Sequence, residues 1–158
     1  MREKKMINPI ISLSYIIKRY KELIRDKIML EYTSHDGIKI QVGQNAKEND
    51  QLTMTSDPKH WWMHVSGCPG AHVVVCHEGD VAPKETKRDA AVLAVYHSKT
   101  PNTKMSPVDL ARVDQIAKYQ KSTHGLVTLE GEVMQLTIFM NKEKLRLDRL
   151  LKTKYILK

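Results

Sequence analysis

Six side chains able to bind metal or move protons crowd into eighteen positions: His60, His64, Cys68, His72, Cys76 and His77. Imidazole and thiolate are the ligands zinc prefers. On an extended chain, alternate residues share a face. If 60–65 is a strand, His60, Trp62 and His64 line one side. If 71–77 is a strand, His72, Val74 and Cys76 do the same. Two such strands side by side would bring His64, His72 and Cys76 together, the arrangement a metal-dependent hydrolase needs. The paired ligand spacings of zinc modules are missing, however, so no metal and no other cofactor is expected. In that case Cys76 is a small core residue, and His64 and His72 are partly buried hydrogen-bonders. A Gly-rich phosphate loop, a nucleophile elbow and a His-Glu-x-x-His helix are all absent. An enzyme reading would therefore have to stand on these histidines and cysteines.

Two further groups could bind a polyanion. Trp61 and Trp62 are adjacent, so a strand sends them to opposite faces. One enters the core; the other is either a base-stacking platform or part of a second buried layer. The second group is cationic. The 158 residues hold 26 Lys/Arg and 18 Asp/Glu, a formal charge of +8, and that charge is unevenly spread. Residues 1–30 carry eight basic against three acidic side chains, and residues 141–158 carry seven against two. Residues 31–83 are acidic, with three basic against seven acidic, whereas 84–121 hold eight basic against four acidic. The central basic residues are Lys84, Lys87, Arg88, Lys99, Lys104, Arg112, Lys118 and Lys121. A polyanion is the partner such charge suits, and a solvated helix face is the plain alternative.

The elements that would hold these residues follow from periodicity. Ile10, Leu13, Ile17, Tyr20 and Ile24 recur at helical steps, so 10–27 is expected to be a basic amphipathic helix opened by Pro9. Strands are expected at 28–33 and 38–42, joined by the Asp36-Gly37 turn. A short helix within 45–55 ends at Asp57-Pro58. After strands at 60–65 and 71–77, Pro83 opens a helix to about Ser98 with an alanine-rich face, closed by Pro101 and Asn102. Lys84, Lys87 and Arg88 lie opposite the alanines. A strand is expected at 106–116, and a hairpin at 125–139 turning at Glu130-Gly131, with Val127, Leu129, Leu136 and Ile138 inward. Asn141 is expected to cap a final helix bearing Leu147, Leu150 and Leu151. The fold class is α+β: a mostly antiparallel sheet with helices packed on it and basic helical arms at both termini. Three units result: 1–27, 28–140 and 141–158. Two cysteines make no disulfide framework, and no apolar run is long enough for a membrane span. A reducing compartment fits, cytoplasmic unless the basic, acid-poor residues 1–27 serve as a mitochondrial or plastid transit segment.

The order of several short motifs carries a resemblance. Gly43-Gln44-Asn45-Ala46-Lys47-Glu48-Asn49-Asp50 is followed by Trp62-Met63-His64, then by Pro69-Gly70-Ala71-His72-Val73-Val74. The Ala90-Ala91 to Tyr96-His97-Ser98 helix and Pro107-Val108-Asp109 come next. Together they resemble the NFACT-R domain, the RNA-binding module of the family that includes ribosome quality-control factors of the RqcH and NEMF type. The resemblance runs over about residues 28–139. Departures from the family pattern are His60, Ala71 and Thr123-His124-Gly125. The large members carry additional domains, so a stand-alone protein of this type is expected here. The resemblance implies RNA binding, of tRNA, ribosomal RNA or single-stranded RNA, with DNA as a further nucleic-acid partner and the ribosome as a place of action. The binding residues it suggests, taken with the charge pattern, are Asn45, Lys47, Asn49, Trp62, His64, His72, Lys84, Lys87, Arg88, Lys99, Lys104 and Arg112. For Asn45 and Asn49 the choice is between base edges and helix capping; for His64 and His72, between the ligand and structural hydrogen bonds. Gly43, Pro69 and Gly70 are expected to fix backbone turns. Two other functions remain open: the hydrolase on His64, His72 and Cys76, and a protein-interaction module whose terminal helices dock on a larger NFACT-type or ribosomal partner.

Overall fold

A computed structural model describes residues 12–20, 29–99, 104–118 and 127–156. Residues 12–20 form a helical segment, α1, whose side chains are all exposed. The rest of the expected 10–27 helix lies outside the described residues, as does the Pro101-Asn102 stop.

Alternation in the first two strands sets the inner face of the sheet. Strands β1 (Leu30–Thr33) and β2 (Lys39–Val42) pair antiparallel, and Leu30, Tyr32, Ile40 and Val42 all point into one cluster. Gly37 turns the hairpin at φ 78°, where a side chain would be strained. Helix α2 (Ala46–Thr55) follows, then β3 (Trp61–Val65), β4 (Val73–Val75), α3 (Lys84–Tyr96) and β5 (Ser106–Arg112). Strands β6 (Ile116–Lys118) and β7 (Val127–Leu129) pair with each other. Then come β8 (Met134–Ile138), α4 (Lys144–Leu151) and β9 (Tyr155–Ile156). The main sheet has the order β8-β5-β3-β4-β2-β1-β9, and every pairing in it is antiparallel.

Each face of the sheet is covered. On one side, Trp61, Met63, Val65, Val73 and Val75 meet α3, whose Ala90, Ala91 and Ala94 are fully buried. Alanines let the helix axis approach the strands closely. On the other side, Trp62, Val74 and Ala111 meet Leu52 of α2, with Ile116, Val127 and Leu129 of the β6–β7 pair at the border. Both tryptophans are therefore core residues, one in each layer.

The helix α3 starts at Pro83 without a cap of its own. Its first turn is satisfied instead from the β1–β2 hairpin: Thr86 N and Oγ1 donate to Asp36 Oδ2 at 3.2 and 2.7 Å. At its outer side Asp89 is fully buried and accepts from Arg146 Nη1 at 2.7 Å, Arg149 Nη2 at 2.6 Å and His35 N at 2.8 Å. Burial works against the Arg146 charge, but Asp89, Glu85 and Glu143 outweigh it and raise its pKa above the ordinary arginine value.

Three expectations are corrected. The strand over 106–116 ends at Arg112, because residues 113–115 form a 3-10 turn. The 125–139 hairpin does not form. Gln115 Nε2 donates to the Glu130 and Glu132 carbonyls at 2.9 and 2.8 Å, holding the Gly131 turn against the 3-10 segment. Strand β7 therefore joins β6, while β8 crosses to pair with β5. Val127 and Leu129 thus pack in one layer, Leu136 and Ile138 in the other. Finally, Asn141 lies in a 3-10 turn, and α4 is preceded by Glu143 without a side-chain cap. The C-terminal segment is basic and helical as expected, yet α4 is docked. Leu150 is buried with Leu147 and Leu151 packed beside it, and β9 extends the sheet on β1.

Candidate nucleic-acid interface

The antiparallel register gives the sheet two chemically different ends. At one end β2 and β3 finish and β4 and β5 begin, since Val42 pairs with Val73 and Val65 with Val108. The segment after β2, the start of α2, the turn between β3 and β4 and the C-terminus of α3 all meet there. They enclose a cleft of about 570 Å³.

Asn49 stitches that end together. Its Oδ1 accepts from His72 N at 3.0 Å, and its Nδ2 donates to the Gly70 carbonyl at 3.1 Å. Gly43 N donates to the His72 carbonyl at 3.1 Å. Gly43 must be glycine for room: a Cβ there would meet Asn49 N at 2.9 Å and Asn49 Cα at 3.0 Å. Asn45 caps α2, its Oδ1 accepting from Glu48 N at 3.0 Å, and Glu48 Oε2 accepts from Gln44 N at 2.7 Å. This is a reciprocal cap of the capping-box kind. Asn45 thus takes the capping role that the sequence allowed, whereas Asn49, inside the helix, bridges to the Gly70–His72 segment, a role neither reading named.

Beneath the cleft the aromatic rings form a sealed layer. Trp62 and His64 stack at 5.7 Å with planes 14° apart, and His72 meets both edge-on at 5.2 and 5.4 Å. His72 is 1% exposed, and its Nδ1 lies 2.8 Å from Thr53 Oγ1. Trp62 is equally buried, so neither ring presents a face to a ligand. His64 is half-buried and borders the cleft. Burial lowers its pKa below the ordinary 6.5, partly offset by Asp109 and by the backbone of Val65 and Gly70. His97, on the opposite wall, is held by the Tyr32 hydroxyl, which lies 2.9 Å from its Nε2. Burial and then Lys154 bring its pKa down to about 4. Burial and then Tyr96 push Tyr32 up to about 12. Both histidines at the cleft are therefore neutral near pH 7, and among the described residues Lys99 is the cation on its wall.

The expected binding residues fall into separate places. Asn45, Asn49, His64 and Lys99 border the cleft. Lys47 is exposed on the first turn of α2, and Lys104 is exposed two residues before β5, at the same end of the sheet. Lys84, Lys87 and Arg88 are on α3 but toward its N-terminus. Ten residues separate Lys87 from His97, about 15 Å along a helix. Arg88 Nε is paired with Glu143 Oε1 at 3.1 Å. Arg112 is committed elsewhere. Its guanidinium sits 3.9 Å over Trp61, and Nη1 donates to the Lys59 and Glu78 carbonyls at 2.6 and 3.2 Å. It clamps the far end of the sheet. Sequence reasoning missed Gln44, Cys68 and His97 as cleft residues; the helix was expected to run to about Ser98, and its end at Tyr96 is what turns His97 toward the cleft.

The convergence of His64, His72 and Cys76 that the hydrolase alternative needs is incomplete: the two imidazoles meet, but Cys76 does not join them. Trp61 pairs with Val75, so Cys76 follows at the opposite end of β4 from His72. Among the described residues, the side chains close enough to share a cation are Asp57, His60 and Glu78, also at that far end.

Comparison with known proteins bears on the family and the fold. The family model for the NFACT protein RNA binding domain matches residues 28–153. The Rqc2 homolog RqcH of Streptococcus suis (strain 05ZYH33) is 34% identical over 126 residues, covering 78% of this chain and 23% of the relative. The Rqc2 homolog RqcH of Bacillus subtilis (strain 168) is 28% identical over 124 residues, covering 78% and 21%. The chain thus spans less than a quarter of the length of these relatives. A solved structure, the C-terminal part of the fibronectin/fibrinogen-binding protein from Streptococcus suis, superposes with a TM-score of 0.70 at 29% identity. It covers 81% of this chain and 49% of that one. A family match over 126 of 158 residues, on a fold whose cleft is built from the matching segments, leads to one conclusion: the chain belongs to the NFACT protein RNA binding domain family.

Proposed function

We propose that this chain binds RNA at the cleft end of its sheet, as a module that holds its ligand without transforming it. One observation carries the reading. The two segments that bear the family motifs, 43–50 and 69–74, are bound to each other through Asn49 and together wall the cleft beside Lys99. Lys47 and Lys104 flank that end with exposed ammonium groups suited to phosphate. The relatives named Rqc2 homolog RqcH support a role alongside tRNA or the ribosome, in the quality control of translation.

The test is a salt-dependent RNA titration of the full chain. Each phosphate neutralised on a single strand adds about 0.7 to the slope of log affinity against log salt. Replacing Lys47, Lys99 and Lys104 together with Ala should flatten the slope by about 2 and weaken all sequences alike. Replacing Lys84 and Lys87 serves as the comparison. If the slope follows that pair and ignores the first three, the interface is the solvent side of α3 and the cleft assignment is wrong.

A further inference from the structure

We propose that the cleft receives one unstacked nucleotide of a single-stranded RNA, the base lodged between the first turn of α2 and the β3–β4 turn, its phosphate beside Lys99. This rests on the RNA reading above and names the form of RNA that the site takes. Size is the first argument. Sites for small organic ligands run from roughly 300 to 1,000 Å³, and the cleft, at about 570 Å³, falls within that range. It can hold one nucleotide, while a duplex keeps its bases stacked inside and shows a protein only its backbone and shallow minor groove.

The walls are the second argument. Ala46, Pro69 and Gly70 present small surfaces with little polarity, against which a flat ring can lie. At the rim, the side-chain amides of Gln44 and Asn45 each combine donor and acceptor, the pattern on the edge of a base. Asn45 Oδ1 is occupied by its cap, but its amide nitrogen makes no bond among the described residues.

Charge is the third. An isolated phosphate would need several donors or cations. Here the start of α2 is already taken by Asn45 and the Glu48 carboxylate, which repels a second anion. The imidazoles of His64 and His97 are neutral near pH 7. Among the described residues that leaves Lys99, enough for one phosphate attached to an uncharged ring.

A fluorescent base decides the question. The full chain is titrated with an eight-nucleotide RNA carrying a central 2-aminopurine, and with the same strand in a duplex. 2-Aminopurine is dim when stacked, so unstacking into the cleft should raise its emission for the single strand only. Single-strand affinity should exceed duplex affinity by about tenfold or more. Ala46→Trp, at an exposed helix position, fills the cleft mouth. It should abolish the rise at unchanged melting temperature. Adenosine monophosphate should compete where inorganic phosphate does not. Equal binding of both RNA forms, unaltered by Ala46→Trp, overturns this inference and leaves the RNA reading standing. Competition by inorganic phosphate as effective as by adenosine monophosphate overturns it too. Failure to bind either RNA overturns both.

Discussion

Changing Gly43 to Ala asks whether the cleft end is held by close backbone approach. The new Cβ would meet Asn49 N at 2.9 Å and Cα at 3.0 Å, and both are backbone atoms of a helix that cannot step aside alone. Overpacking of this kind costs about 1–3 kcal/mol. Moving Asn49 also stretches its bonds to His72 N and the Gly70 carbonyl, each worth about 1 kcal/mol. The expected loss is about 2–4 kcal/mol. In a chain of this size that lowers Tm by about 4–16 °C. Gly37→Ala is the reference: its φ is 78° with nothing within 4 Å, so only backbone strain remains, about 1–2 kcal/mol. Equilibrium denaturation of both variants, and of Asn49→Ala alone and combined with Gly43→Ala, completes the cycle. The double variant should lose less than the sum of the singles by about 1 kcal/mol, because both act on one contact. A Gly43→Ala protein as stable as the parent, or strict additivity in the cycle, would refute the argument.

Other outcomes are expected on the same footing. Asp89→Asn leaves two guanidinium groups facing a neutral amide and should cost about 3–5 kcal/mol in denaturant unfolding. Thr53→Val strips the partner from buried His72 Nδ1, and a loss of about 1–3 kcal/mol is expected by the same measurement. Gly70→Val should destabilise through contact with Ser98 Cα and Cβ at 3.3 Å; the φ of Gly70 is not in the left-handed region, so the cause is space. Stability should fall with acid between pH 6.5 and about 4. His97 stays neutral in the fold across that window while the unfolded chain takes up the proton, so unfolding gains protons as pH drops. His64 acts in the same direction, and His97→Gln should remove part of the slope in a pH series of melting curves.

Local signals announced most of the elements, and the reasons for the failures are specific. Asp36-Gly37, Pro83 and the alanine face act within a few residues, so the first hairpin and α3 were legible. The last hairpin was not, because Glu130-Gly131 is a sound turn whose strands pair elsewhere. What decides their partners is the amide of Gln115, fifteen residues upstream of Glu130, and nothing local encodes that choice. The tryptophans were ambiguous for a related reason. Alternation puts them on opposite faces, but only the packing of α2 through Leu52 shows that the second face is also covered. Arg112 looked like a phosphate ligand by composition, yet its stacking on Trp61 depends on a neighbour 51 residues away.

The cationic pattern misled in a way that bears on function. Lys84, Lys87, Arg88 and Arg112 stand out in sequence because they raise the charge of one segment, yet two of those four are spent on holding elements together. Arg88 reaches Glu143, which precedes α4, and Arg112 closes the far end of the sheet. At the cleft the charge is sparse, and the residues that shape it are glycines, small side chains and amides bound to backbone. A surface built for phosphate alone would show the reverse distribution, with cations gathered where the walls meet. A recess that shows, among the described residues, one lysine, two neutral imidazoles and a carboxylate at its helix start fits the proposed reading in which the cleft judges what enters it and does not gather polyanions from a distance. On the function proposed above, attraction belongs to the exposed lysines around the rim and discrimination to the cleft itself. The two contributions should separate in titration: the rim lysines set the salt slope, and cleft-filling substitutions change which RNA is preferred while the slope stays in place.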